Sequence, residues 1–264
     1  MKAANAIALA LSIAAATVAA PAAVMAAPAA AKPTVILVHG AFADAGSWNG
    51  VAAKLRADGY PVIGAANPLR SVKGDAEVVA NIVKSVKGPV VLVGHSYGGA
   101  VISTAANGNP NVKSLVYVAA FAPDQGETAL ELSGRYPGGT LDQALAEPVV
   151  LASGGKDFYI QQDKFHQQFA ADVPKAQAAL MAFGQRPIAE AALTEAAGAP
   201  AWKQLPSYFI YGTGDKNIPA AALKFMAERA QSKKTVAVPG ASHVVMTSHP
   251  AAVASLIEEA AQAK

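Results

Sequence analysis

Residues Val90–Gly98 read VVLVGHSYG: an apolar, β-branched run enters a G-H-S-Y-G turn and continues into a helix-forming stretch, Gly98–Ala106. This segment restricts the fold more than any other. An apolar run without polar alternation is a strand buried on both faces, as in a parallel sheet covered by helices on either side. A strand, a turn this tight and a helix in direct succession leave no room for side chains at Gly94 and Gly98. The turn lifts the Ser96 hydroxyl to the carboxyl edge of the sheet, at a helix N-terminus, where developing negative charge is favoured.

The rest of the chain repeats the alternation. Apolar runs at Thr34–Val38, Pro61–Gly64, Val112–Ala119, Ser207–Tyr211 and Thr235–Val238 read as further strands. Amphipathic stretches at Ser47–Asp58, Gly74–Val86, Ala220–Ala230 and Pro250–Ala263 read as helices. The expected fold is α/β, with a mostly parallel central sheet and helices on both faces. Between about residues 122 and 201 the alternation stops. That stretch is rich in Ala, Gln, Phe and Tyr, with helical patterns at Lys156–Ala170, Pro174–Phe183 and Pro187–Ala196. It reads as a helical cap inserted between the fourth and fifth strands.

Residues 1–26 are expected to be an export signal. Lys2 is followed by an apolar stretch from Ala6 to Ala20, then Pro21, and small residues before a cleavage point after Ala26. Residues 27–32 would form a short linker and 33–264 the folded domain. The mature protein is expected in the periplasm or outside the cell, without a membrane anchor. The composition excludes several classes. Hydrophobic residues make up 53% and charged residues 15% of 264, the reverse of a disordered chain. The net charge of +3 is not gathered into a basic patch, so a nucleic-acid partner is not expected. There is no cysteine, which removes disulfides, thiolate metal sites and a cysteine nucleophile. None of the five histidines has metal-ligand spacing beside carboxylates, so no metal is expected.

With Ser96 as candidate nucleophile, its partners are sought past the later strands. Asp215 lies in GTGDKNIP after the fifth strand, and His243 lies in GASH after the sixth, 28 residues on. Each candidate leaves the carboxyl end of a strand, where open α/β sheets place their sites. In such a set His243 takes the Ser96 proton, and Asp215 fixes the imidazole tautomer and stabilises the imidazolium. Asp124, after the fourth strand, is the rival acid. An oxyanion hole needs two backbone N–H groups. Tyr97 N–H is one; Ala41 N–H, in the loop His39-Gly40-Ala41-Phe42, is favoured for the other, with Phe42 N–H as the alternative. Phe42 and Phe121 are candidate substrate contacts. His39 and His95 read as loop-fixing residues, His249 as a surface residue at the last helix, and His166 as a solvated cap residue.

HGAF, GHSYGG, YVAAFAPD, GTGDKNIP and GASH together resemble the α/β-hydrolase superfamily across residues 33–262. The resemblance is greatest to small capped serine carboxylesterases near the plant methylesterase and hydroxynitrile-lyase branch. It implies a Ser–His–Asp triad, no cofactor, and ester hydrolysis through an acyl-enzyme. Because this chain begins directly at the HG strand, a smaller sheet of about six strands is expected. The aromatic cap suggests small or medium apolar esters as substrates. A hydroxynitrile lyase, a perhydrolase, an amidase and a non-catalytic small-molecule binder are the alternatives. Hydroxynitrile lyases typically carry lysine directly after the catalytic histidine, where this chain has Val244.

Overall fold

The computed structural model describes residues 31–152 and 154–263, so the export-signal reading of residues 1–26 lies outside the described residues. Residues from Lys32 onward form one compact unit. Its centre is a six-stranded parallel sheet of β1 (Thr34–Val38), β2 (Val62–Ala65), β3 (Val90–His95), β4 (Val112–Val118), β8 (Ser207–Gly212) and β9 (Lys234–Val238). The spatial order is β2-β1-β3-β4-β8-β9. Every residue of β3 is buried. Since alternate side chains point to opposite faces, both faces of the sheet are covered there. Helices α1 (Asn49–Ala57) and α10 (Pro250–Ala261) pack on each other, as do α2 (Val72–Ser85) and α3 (Gly98–Ala105). Helix α8 (Ala220–Arg229) packs on β8.

Local chemistry sets the element ends. The Ser71 hydroxyl caps α2 by accepting from Gly74 N–H at 3.0 Å, so the helix starts two residues before the expected Gly74. The Asp44 carboxylate accepts from Gly46 N–H at 2.7 Å and starts a 3₁₀ turn, Ala45–Trp48, ahead of α1.

The segment between β4 and β8 contains α4 (Ala129–Gly134), α5 (Gln162–Phe169), α6 (Lys175–Gly184) and α7 (Glu190–Thr194). It also holds a three-stranded antiparallel sheet that sequence reading did not anticipate, formed by β5 (Val149–Val150), β6 (Lys156–Phe158) and β7 (Ile188–Ala189). Thus the first turn expected of a helix at Lys156 is strand, and so is the start of the one expected at Pro187. Strands of two or three residues are too short to show a period of two.

The cap is tied to the core by specific bonds. The Arg70 guanidinium reaches Asp157 on β6 at 2.6 Å and the Pro187 carbonyl at 3.0 Å. Ala189 N–H donates to the Leu69 carbonyl at 3.0 Å. At the other side, Arg229 makes a forked pair with Glu127, at 2.8 Å to each oxygen.

Candidate active site

Ser96 occupies the turn after β3 with φ +54°, the left-handed region that a residue with a side chain enters at a cost. The surroundings hold it there. Its N–H donates to the Val118 carbonyl at 3.3 Å, and its carbonyl accepts from Gly99 N–H at 3.0 Å and Phe121 N–H at 3.1 Å. A Cβ on Gly94 would lie 2.5 Å from the Gly98 carbonyl oxygen, and one on Gly98 would lie 2.7 Å from the Val38 carbonyl oxygen. Both glycines are therefore required by close backbone approach.

His243 and Asp215 meet in the interior. His243 Nδ1 lies 2.6 Å from Asp215 Oδ2. The other carboxylate oxygen, Oδ1, accepts from Asn217 N–H at 2.8 Å and Ile218 N–H at 3.0 Å. With one oxygen held by two backbone donors, the second is aimed at the imidazole. His243 Nε2 is buried and has no hydrogen-bond partner among the described residues. Asp124, the rival acid, lies elsewhere. It pairs with Lys203 at 2.6 Å, and that hydrogen bond lowers its pKa.

His95, directly before Ser96, connects the two halves of the site. Its Nε2 donates to the His243 carbonyl at 3.1 Å, and the two rings lie 4.8 Å apart. Burial, and then the neighbouring His243, hold its pKa well below 6.5, so it stays neutral. His39 is also held below 6.5, chiefly by burial. Its Nε2 accepts from Asn67 N–H at 3.2 Å, which leaves the proton on Nδ1 for the Gly40 carbonyl at 2.9 Å. Both histidines thus fix loops. The remaining two lie apart from this centre: His166 bonds the Val173 carbonyl at 2.9 Å, and His249 lies 3.6 Å from Asp172.

Ala41, Phe42, Ser96, Tyr97 and Phe121 line one cavity of about 370 Å³. Its other walls come largely from the cap, including Leu130, Leu141, Leu145, Phe158 and Leu193. Phe42 N–H donates to the Arg186 carbonyl of the cap at 2.9 Å. It is therefore already bonded, whereas the Ala41 and Tyr97 amides have no acceptor among the described residues. Tyr97 turns its hydroxyl inward to Asp75, donating at 2.9 Å. Burial pushes that hydroxyl far above its usual pKa and raises the Asp75 carboxyl as well. At the cavity, then, Tyr97 offers its backbone and not its phenol.

Phe169 is a site residue that sequence reading left among the general cap aromatics. It is fully buried on α5, edge-on to His243 with centroids 5.1 Å apart. It also packs on Phe42 at 6.1 Å and His95 at 6.2 Å. Asn217 was likewise missed, although it lies two residues after Asp215 and lines the cavity.

Comparison with known proteins shows which family the fold belongs to. Over 113 residues the chain is 33% identical to a carbendazim hydrolyzing esterase of Nocardioides sp., covering 37% of this chain and 46% of that protein. Over 252 residues it is 25% identical to the putative chloroplastic methylesterase 11 of Arabidopsis thaliana, covering 86% of this chain and 63% of that protein. The chain thus spans about half to two-thirds of the length of these relatives. The crystal structure of polyneuridine aldehyde esterase superposes with a TM-score of 0.74 at 17% identity, covering 86% of this chain and 98% of that one. The model of the alpha/beta hydrolase family matches residues 35–256. The chain belongs to the alpha/beta hydrolase family.

Proposed function

We propose that the protein hydrolyses small or medium apolar carboxylic esters through an acyl-enzyme on Ser96. The single observation that carries this reading is the buried His243–Asp215 pair at 2.6 Å, tied through the His95 bond to the His243 carbonyl to the strained strand-to-helix turn that holds Ser96. In the first half-reaction His243 Nε2 takes the Ser96 proton as Oγ bonds to the ester carbonyl carbon. Asp215 stabilises the imidazolium and keeps the other proton on Nδ1. The negative oxygen of the tetrahedral intermediate is bound by the Ala41 and Tyr97 N–H groups. His243 then protonates the departing alcohol as the C–O bond breaks. Water, deprotonated by His243, attacks the acyl-serine and releases the acid, returning the proton to Ser96.

The apolar cavity walls favour apolar substituents on the ester, and among the described lining residues there is no lysine or arginine. Val244 is fully buried directly after His243, where a lysine would serve cyanohydrin chemistry. The two curated relatives are themselves named as esterases. From the sequence pattern of residues 1–26, we also propose that the protein is exported and begins at Ala27.

The test is pre-steady-state turnover of p-nitrophenyl butanoate. A burst of p-nitrophenol equal to the enzyme concentration, with the acyl mass located on Ser96, is the expected outcome. Ser96→Ala should lower kcat on the order of 10⁶-fold. Turnover by Ser96→Ala within a factor of ten of the native protein would remove the proposal.

A further inference from the structure

The ester-cleaving steps use only part of the cavity's polar equipment. Asn217 is buried yet lines the cavity that holds Ser96. Its backbone is pinned to the acid loop by the bond from its N–H to Asp215 Oδ1. Its side-chain amide is oriented by a short relay. The Lys216 carbonyl can only accept, so Gln168 must present Nε2 to it, at 3.0 Å. Gln168 Oε1 then accepts from the Thr140 hydroxyl at 2.9 Å. The second Nε2 proton of Gln168 points at Asn217, 2.8 Å away, and only an oxygen can receive it. Asn217 therefore turns Oδ1 to Gln168 and Nδ2 away from it. Among the described residues Nδ2 has no hydrogen-bond partner. The polar groove on the Gln168 side, lined by Thr140, Lys164 and Lys216, does not include Asn217. Nδ2 is thus left on the side of the Ser96 cavity.

We infer that Asn217 is a specificity-determining residue, whose Nδ2–H donates to a second hydrogen-bond acceptor on the substrate, remote from the ester carbonyl that reacts. Gln168 is the positioning residue that aims it. A ketone or a second ester oxygen is the acceptor class that fits. The other cavity side chains are mostly apolar, Leu and Phe above all, with Ser133 and Asp142 as the further polar ones; the Asp142 carboxylate disfavours an anionic acceptor, and the two oxyanion amides serve the reacting carbonyl. An all-carbon chain would bury this donor unpaired, which costs more than a hydrogen bond returns. The inference rests on the esterase reading above and deepens it.

The experiment compares p-nitrophenyl hexanoate with its 4-oxo and 5-oxo analogues, and pentyl acetate with 4-oxopentyl acetate. Each kcat/KM is divided by the alkaline hydrolysis rate of the same ester. The native protein should prefer at least one keto ester over its all-carbon partner by about tenfold, the worth of one buried neutral hydrogen bond. Asn217→Leu and Asn217→Ala should each reduce that preference to within twofold. Gln168→Leu should weaken it through KM, with kcat for the same ester changing less. The native measurement stands even if a variant fails to fold. No keto preference above twofold in the native protein, or a preference that survives in Asn217→Leu, would overturn the inference while leaving the esterase reading intact. If none of these esters is turned over at all, the esterase reading fails and the inference falls with it.

Discussion

Asp215→Asn is the substitution for which the structure dictates the outcome most closely. The side chain keeps its shape, so the question is which way the new amide turns. The Oδ1 position accepts from two backbone N–H groups, Asn217 at 2.8 Å and Ile218 at 3.0 Å. An –NH₂ there would face two donors, so the amide oxygen must stay and the –NH₂ must point at His243 Nδ1. The imidazole then has to accept at Nδ1, which moves its proton to Nε2, the nitrogen that should receive the Ser96 proton. The same swap in a serine-protease triad lowers kcat about 10⁴-fold, or about 5 kcal/mol at 1.36 kcal/mol per decade. A loss of that order is expected here in p-nitrophenyl butanoate turnover, with an unchanged circular dichroism spectrum. Asp124→Asn should change kcat by less than about threefold, because Asp124 spends its charge on the partly exposed Lys203. A folded Asp215→Asn protein within tenfold of native kcat, or a dead Asp124→Asn protein, would refute the assignment of the acid.

The cap aromatic over the site should matter to stability. Phe169→Ala empties a buried volume shared with Phe42, His95, Phe165 and His243, and should cost about 3–5 kcal/mol, read as a fall in Tm of roughly 6–20 °C. A fall under 3 °C would show the cap is not anchored there. Stability should also drop as pH falls below about 6.5. His95 and His39 have native pKa values below that of the unfolded chain, so the unfolded state binds protons that the native state refuses. Well below 6.5 but above their native pKa values, the slope approaches about 2.7 kcal/mol per pH unit for the two together. Above 6.5 both states are neutral and this contribution is flat. Below the ordinary carboxylate range the Glu127 carboxylate, held at about 2 against the burial that opposes it by its bonds to Arg229, Asp124 N–H and Arg135, adds a further loss. Thermal denaturation from pH 8 to pH 5 checks this; a constant or rising Tm would contradict it. Mass spectrometry of exported material should find Ala27 at the N-terminus, and a chain that retains Met1 would remove the export proposal.

How much of this was legible before the structure depended on how local the physics is. The six-stranded sheet could be read because its strands are short, largely apolar, β-branched runs alternating with helical stretches, as in Val90–His95 followed by Gly98–Ala105. The pairing of Asp215 with His243 could be read because two strand ends that neighbour in the sheet, β8 and β9, deliver both residues to one edge. The cap offered no such signal. β5 and β7 are two residues each, and their identity as strands comes from pairing with β6 and from the Arg70–Asp157 bond, contacts made across long stretches of chain. Phe165, Phe169 and Phe183 look alike in sequence. Only packing separates the fully buried Phe169 beside His243 from Phe183, which is 80% exposed on α6. Asn217 is a sharper case, since it sits inside a motif that the sequence itself singles out, GTGDKNIP. As part of the acid turn it needs no side chain of its own, because its N–H alone holds Asp215. What gives its amide a direction is Gln168, 49 residues earlier on a cap helix. Residues whose role is set by their own strand or turn were therefore accessible from sequence, and those whose role is set by where the cap lands were not.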